Sequence, residues 1–369
     1  MNRNLKEVAL LFLKLGSIAF GGPAAHIAIM EVEVVKKRKW MSHQHFLDMV
    51  GATNLIPGPN STEMTMHCGY EKAGFKGLIV AGISFVFPAI LLTMGFAWLY
   101  NTYGKLPNVE IFMYGIKPAV IALILGAAYR LLKKALKNTI TGILGLLTLI
   151  ACILGINTIL ALFLPGVLGL FIHYIKKPKK ASLSVNPFIL VGLLISASNL
   201  KIAWTFFKVG AILYGSGYIL FAYLDAELVN TGFLTRQELI DAVAIGQFTP
   251  GPVLSTATFI GWQLGGFWGS IAATIGIFTP SFIFVAVLNP LIPKMRKSKS
   301  IAAFLDAVNV AAVAIIIAVC IEMSKETIVD WRTTLIALLS LLLVFVFQKI
   351  NSGFIVLGGA ILGYFLSYI

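Results

Sequence analysis

Two short stretches hold the residues best suited to chemistry. Residues 55–62 read L-I-P-G-P-N-S-T, and residues 248–255 read F-T-P-G-P-V-L-S. Pro57-Gly58-Pro59 and Pro250-Gly251-Pro252 must each break a helix. Proline donates no backbone hydrogen bond, and glycine loses the most entropy on ordering. Proline also suits the first helical position, so a new half-helix is predicted after each break. The first N–H groups of such a half-helix have no partner within it, and the positive end of its dipole lies there. That combination attracts an anion. In the first stretch these positions are Asn60, Ser61 and Thr62; in the second they are Val253, Leu254, Ser255 and Thr256. Asn54 and Gln247 precede the two breaks and add amide donors. Asn, Ser and Thr are also common N-caps, which explains their presence at a helix start without any ligand.

Charged residues lie close by. Lys14 and Lys208 each stand two residues before a matched glycine, where they can face an anion or snorkel to the interface. Glu63 follows the first half-helix start directly, and His26 and His67 flank the breaks of the first half. Glu63, His26 and His67 are candidates for proton coupling, with hydrogen-bonded packing the plainer role for each histidine. Asp48 and Asp241 lie inside apolar runs and are candidates for the same role, although an ion pair to Arg38 or Arg236 is favoured. Glu31 and Glu33 sit beside a basic cluster and are read as solvated. No metal-ligand spacing, nucleophile elbow or phosphate loop is present, so neither cofactor nor metal is expected. Cys68, Cys152 and Cys320 share no ligand spacing and are read as structural. An intramembrane enzyme built on His26, Glu63 and His67, and a channel, are the competing classes.

These residues must be held by elements that live in a membrane. Of 369 residues 58% are hydrophobic and only 12% charged, with mean hydropathy +0.90. A soluble domain carries roughly 25% charged residues. Apolar runs longer than the ~20 residues needed to cross a bilayer fill much of the chain. The composition therefore predicts an all-α polytopic membrane protein. Leu5 to Phe20 leads into G-G-P and further apolar sequence, not into a small-residue cleavage site, so no cleavable signal is expected. The net charge of +14 resides in short clusters between apolar segments, such as Lys36 to Lys39 and Lys176 to Lys180. That is the positive-inside pattern, and nucleic acid is set aside as a partner.

The organisation is a duplication. Residues 5–34 form a hairpin broken at Gly21-Gly22-Pro23, and residues 45–70 form a second one around Pro57-Gly58-Pro59. Spans are predicted at about 75–102, 111–133, 139–154 and 157–175. A basic linker and an unpaired apolar segment at 186–200 follow, after which the pattern restarts. Gly16, Asp48, Gly69, Gly77 and Pro88 match Gly210, Asp241, Gly261, Gly269 and Pro280 in order, and Gly215-Ser216-Gly217 stands where the first half has its G-G-P break. Glycines, prolines and carboxylates in register are the mark of an internal repeat. The predicted units are 1–175, a linker with one unpaired segment over 176–200, and 201–369. Loops that are basic in the first half are not basic in the second: residues 322–332 carry three acids. The two repeats are thus expected to be inverted, with broken, re-entrant helices meeting at a transport site.

Particular motifs carry a family resemblance. F-G-G-P-A-A-H-I-A at 20–28, R-K-W at 38–40, F-L-D at 46–48 and G-A-T-N-L-I-P-G-P-N-S-T-E at 51–63 resemble the signature of the chromate ion transporter (CHR) family. Y-G-S-G-Y at 214–218 and G-Q-F-T-P-G-P at 246–252 resemble that family's second repeat, with Tyr214 and Ser216 departing from the usual F-G-G-G-Y. The resemblance spans nearly the whole chain in its two-repeat form. It implies export of chromate across a bacterial cytoplasmic membrane, driven by the membrane potential or a proton gradient, by a multi-pass protein whose N-terminus is cytoplasmic. Sulfate, a dianion of like shape, or another oxyanion is the alternative cargo. Asn54, Asn60, Ser61, Thr62, Gln247, Ser255 and Thr256 are the expected donors, with Lys14 and Lys208 as counter-charges. The lipid bilayer is the expected surrounding, and a homodimer is compatible with the fused repeats.

Overall fold

A computed structural model describes residues 3–19, 23–53, 55–104, 107–176, 198–214, 219–288, 299–347, 350 and 352–368. The expectations for Gly21, Gly22, Asn54, Gly215, Ser216 and Gly217, for linker residues 177–184 and for segment 186–197 lie outside those residues.

Among the described residues every regular element is helical. The first half runs α1 (Arg3–Ile18), α2 (Pro23–Met30), a π-helical turn (Glu31–Lys37), α3 (His43–Thr53), α4 (Asn60–Tyr103), α5 (Pro107–Ala135), α6 (Thr139–Ile153) and α7 (Thr158–Lys176). The second half repeats the order with α8 (Ser198–Ile212), α9 (Ile219–Leu224), a π-helical turn (Asp225–Val229) and α10 (Arg236–Phe248). A 3-10 turn (Val253–Ser255), α11 (Thr256–Leu288), α12 (Lys299–Thr327), α13 (Trp331–Val346) and α14 (Ser352–Leu366) complete it. Matching caps reinforce the correspondence: Asn138 and Thr141 form a capping box ahead of α6, and Asp330 and Thr333 form one ahead of α13.

α4 and α11 each contain a reversal. Ala73 and Gly74 leave the helical region, as do Gly265 and Gly266, with Gly74 at φ +61° and Gly266 at φ +59°. In a continuous helix Gly69 and Gly77 would lie ~12 Å apart. Here a methyl on either would run into the other's backbone carbonyl, and Gly261 and Gly269 behave alike. The segment that starts at Asn60 is therefore a short half-helix folded back on the long helix after Gly74. That half-helix and α3 form the expected second hairpin.

Among the described residues four helices are long and apolar enough to cross a membrane: 60–103, 111–135, 253–287 and 300–327. α6 is shorter than a span should be, since its 15 residues reach only ~22 Å against a hydrocarbon core of ~30 Å. Its outer face is nonetheless apolar, with Ile143, Leu146, Leu147 and Ile150 exposed. Exposed large apolar side chains recur on α7, α13 and α14, as a lipid-facing surface requires.

The halves pack by exchange. α1 lies on α4 and α8 on α11, while α4 and α11 meet each other. Further along, α5 packs against α13 and α14, and α12 packs against α6 and α7. Each half's last two helices thus clasp the other half's long fifth helix.

Two charged expectations are corrected. Glu33 is buried, not solvated, because Lys37 (2.7 Å) and Arg38 fold over its carboxylate. Asp241 pairs with Lys117 of α5 at 2.8 Å and accepts from the Tyr100 hydroxyl at 2.6 Å. Its expected partner Arg236 is held instead by Asp225 at 2.9 Å.

Candidate functional site

Each P-G-P turn is fastened to the opposite half. The Gly58 amide donates to the Leu213 carbonyl at 2.7 Å, and the Gly251 amide donates to the Ala19 carbonyl at 2.9 Å. Ala19 and Leu213 hold equivalent places, five residues after Lys14 and Lys208. The end of each first helix thus meets the other half's break, and each half-helix start lies at that seam. Gly58 at φ +138° and Gly251 at φ +95° adopt backbone that favours glycine.

His26 completes one of these junctions. Its Nε2 lies 3.0 Å from the same Ala19 carbonyl, and its ring meets Phe85 edge-on with centroids 5.6 Å apart. In the second half the buried Tyr223 hydroxyl donates to the Ile212 carbonyl at 3.3 Å. His26 is thus held at this junction by one ring nitrogen and one ring contact.

The half-helices begin as the prolines dictate, with Pro59 and Pro252 extended just ahead of Asn60 and Val253. Their first N–H groups have no acceptor inside the helix. Ser61, Thr62, Ser255 and Thr256 are buried, as is Gln247, while Asn60 is half-buried. Thr62 Oγ1 and Ser255 Oγ occupy equivalent positions, and both are buried with no hydrogen-bond partner among the described residues. Gln247 Nε2 is in the same state. Thr256 differs, since its hydroxyl is used by the Val253 carbonyl at 2.8 Å. Buried donors without acceptors are uncommon, and a set of them at two matched helix starts can be satisfied by a polyoxygen anion.

Glu63 lies at the core of this region. It is fully buried, and neither carboxylate oxygen has a hydrogen-bond partner among the described residues. The side chain curls back over its own break, so that a methyl on Gly58 would overlap both Glu63 Oε1 and Ser281 Oγ. Ser281 Oγ is likewise buried and unpartnered among the described residues. Tyr214, just past α8, is close enough for the Glu63 charge to act on its phenol. His67 is buried one turn beyond Glu63 on the same helix.

Other expected site residues are less enclosed. Lys208 pairs with Glu227 at 2.7 Å, and Lys14 is exposed on α1. Asp48 is half-buried and accepts from the Gln44 amide at 3.3 Å.

Sequence reasoning passed over Ser281, Lys117 and Tyr100. Ser281 follows Pro280, the match of Pro88, where the first half has Ala89. Lys117 is a lone cation in an apolar span, and on that ground alone such a residue invites a partner.

A family model described as "Chromate transporter" matches residues 6–170 and again residues 200–364. The "Chromate transport protein" of Cupriavidus metallidurans is 30% identical, over 97% of this chain and 92% of its own. The "Probable chromate transport protein" of Synechococcus elongatus is 31% identical, over 92% and 89%. The "Chromate transport protein" of Pseudomonas aeruginosa is 27% identical, over 86% and 80%. No solved structure matches the chain.

Proposed function

The chain belongs to the chromate transporter family, and from that membership and the paired breaks we propose that it is a secondary transporter exporting a chromate-class tetrahedral dianion from the cytoplasm. The observation that carries this reading is the reciprocal fastening of the two P-G-P turns, with matched hydroxyls at Thr62 and Ser255 beside them that have no partner among the described residues. Two half-helix starts supply N–H groups and dipole ends for the anion. Thr62, Ser255 and Gln247 add side-chain donors, joined by Asn54, Asn60 and Ser61; Thr256 joins them only by releasing the Val253 carbonyl. In this reading Lys14 and Lys208 act further out, gathering the anion toward the site.

The membrane potential or the proton gradient supplies the energy. The exchange packing gives a means of alternating access, because rocking one half against the other opens the breaks to either face. The basic clusters of the first half orient the protein with its N-terminus in the cytoplasm, in a bacterial inner membrane. Sulfate is the second reading, because N–H and hydroxyl donors recognise charge and tetrahedral shape and do little to separate the two dianions.

The test is uptake of radiolabelled chromate into everted membrane vesicles, with and without excess sulfate and an uncoupler. Energised uptake that the uncoupler abolishes is the expected result, and the sulfate competition ranks the cargoes. Uptake no higher than in vesicles lacking the protein would sink the chromate assignment.

A further inference from the structure

The geometry points to Glu63 as the group that carries a coupling proton, and to a proton that travels with the dianion instead of exchanging against it. This inference rests on the transport reading above.

The other ionisable candidates are already engaged. Asp241 has Lys117 and Tyr100, and His26 has the Ala19 carbonyl. Asp48 and His67 have partners of their own. Glu63 alone among the five is fully buried with both oxygens unpartnered among the described residues.

Its surroundings are specific. Ser281 Oγ of α11 faces Glu63 Oε1 across the space above Gly58, and Tyr214 approaches from the end of α8. His67 lies one turn on along the same half-helix, and no ion pair reaches Glu63 among the described residues. A carboxylic acid fits this place, because its O–H can donate to Ser281 Oγ. A bare carboxylate would have only neutral hydroxyls beside it, with no cation among the described residues to offset its charge in a dry site.

The carboxyl also curls toward the end of the half-helix that would receive the anion. A dianion at the N–H groups of residues 60–62 and an ionised Glu63 would repel strongly at that range in a dry site. Binding of the anion and of one proton at a Glu63 oxygen are therefore mutually favourable, a coupling that runs both ways. The proton is released when the anion leaves and water reaches the carboxylate. One proton and one dianion then cross together, moving a single net negative charge. The membrane potential drives that export, and an acidic exterior opposes it.

The test uses the purified full chain in liposomes, with the potential clamped at zero by potassium and valinomycin. Both sides are kept alkaline enough for chromate to be wholly dianionic, and a pH difference is the only gradient imposed. The wild type is expected to accumulate chromate on the more alkaline side, approaching about tenfold per pH unit for one proton per anion. Glu63→Gln removes that response, and Glu63→Asp, which keeps a titrating group, retains it.

Accumulation on the acidic side, or a wild type indifferent to the pH difference, would overturn the proposal without any variant. A Glu63→Gln protein that follows the gradient like the wild type would also overturn it. Absence of wild-type flux even under an imposed potential is a different failure, for it removes the transport reading itself.

Discussion

The Gly58 amide meets the Leu213 carbonyl at 2.7 Å across the boundary between the two halves, and its equivalent, Gly251, meets Ala19 at 2.9 Å. A break that in one half would leave a helix end open is thus closed by the other. Neither half can complete its own P-G-P turn.

That dependence gives the first prediction. Gly58→Ala places a methyl on Glu63 Oε1 and Ser281 Oγ at a φ of +138°. Strain of about 1–3 kcal/mol is expected, with a lowered Tm and lost chromate flux. Gly74→Ala is the comparison. Its φ of +61° is also strained, but nothing lies within 4 Å, so its Tm falls while flux persists. Normal flux through Gly58→Ala would detach the turn from transport.

Thr62 and Ser255 test the anion site more directly. Their hydroxyls are buried and bond to nothing else among the described residues, so Thr62→Val and Ser255→Ala should leave the Tm without substrate unchanged or slightly raised. A hydrogen bond to a charged group contributes about 1.5–3 kcal/mol. Each variant should therefore weaken chromate binding by about 10- to 100-fold, read from transport KM or isothermal titration. Unchanged affinity in both would place the anion elsewhere.

The breaks and the duplication were legible because glycine and proline act locally and in the same order twice. Pro57-Gly58-Pro59 announces a half-helix at Asn60 without help from the rest of the chain. Partners across the fold were not legible in this way. Arg236 looked able to reach Asp241, yet five residues along α10 turn the two onto different faces, since only positions three or four apart are neighbours. Lys117, which does reach Asp241, lies on α5 in the other half, and only the exchange packing brings it there. Glu33 misled through its setting. A carboxylate beside a basic cluster looks solvated, but Lys37 and Arg38 fold over it and shut out water.

Glu33 also gives a pH signature. Hydrogen bonds from Lys37 and then Arg38 hold its carboxyl down at about 2, against an ordinary value of 4.5. A depressed carboxyl stabilises the fold fully above its unfolded value, and that stability is lost as pH falls toward the folded one. The Tm gap between wild type and Glu33→Gln should thus be constant above about pH 5 and shrink as pH falls through 4.5 toward 2. A gap that does not move with pH would mean that the three side chains do not interact in solution.

Lys117 and Asp241 make the last prediction, and the sharpest on stability. Both are largely buried, with Asp241 almost wholly so, and the pair joins α5 of the first half to α10 of the second. Removing one partner from a buried pair leaves an uncompensated charge and costs about 3–5 kcal/mol. Lys117→Met and Asp241→Asn should each lower the Tm strongly and reduce the folded yield. The double variant strands no charge, and the Tyr100 hydroxyl keeps an amide oxygen to donate to, so much of the loss should return. That non-additivity is the measure of the pair, because two residues that act independently would add. If the double variant is as unstable as the two losses summed, the contact does not hold the halves together. The exchange packing of α5 on α13 and α14 would then carry that task without the ion pair.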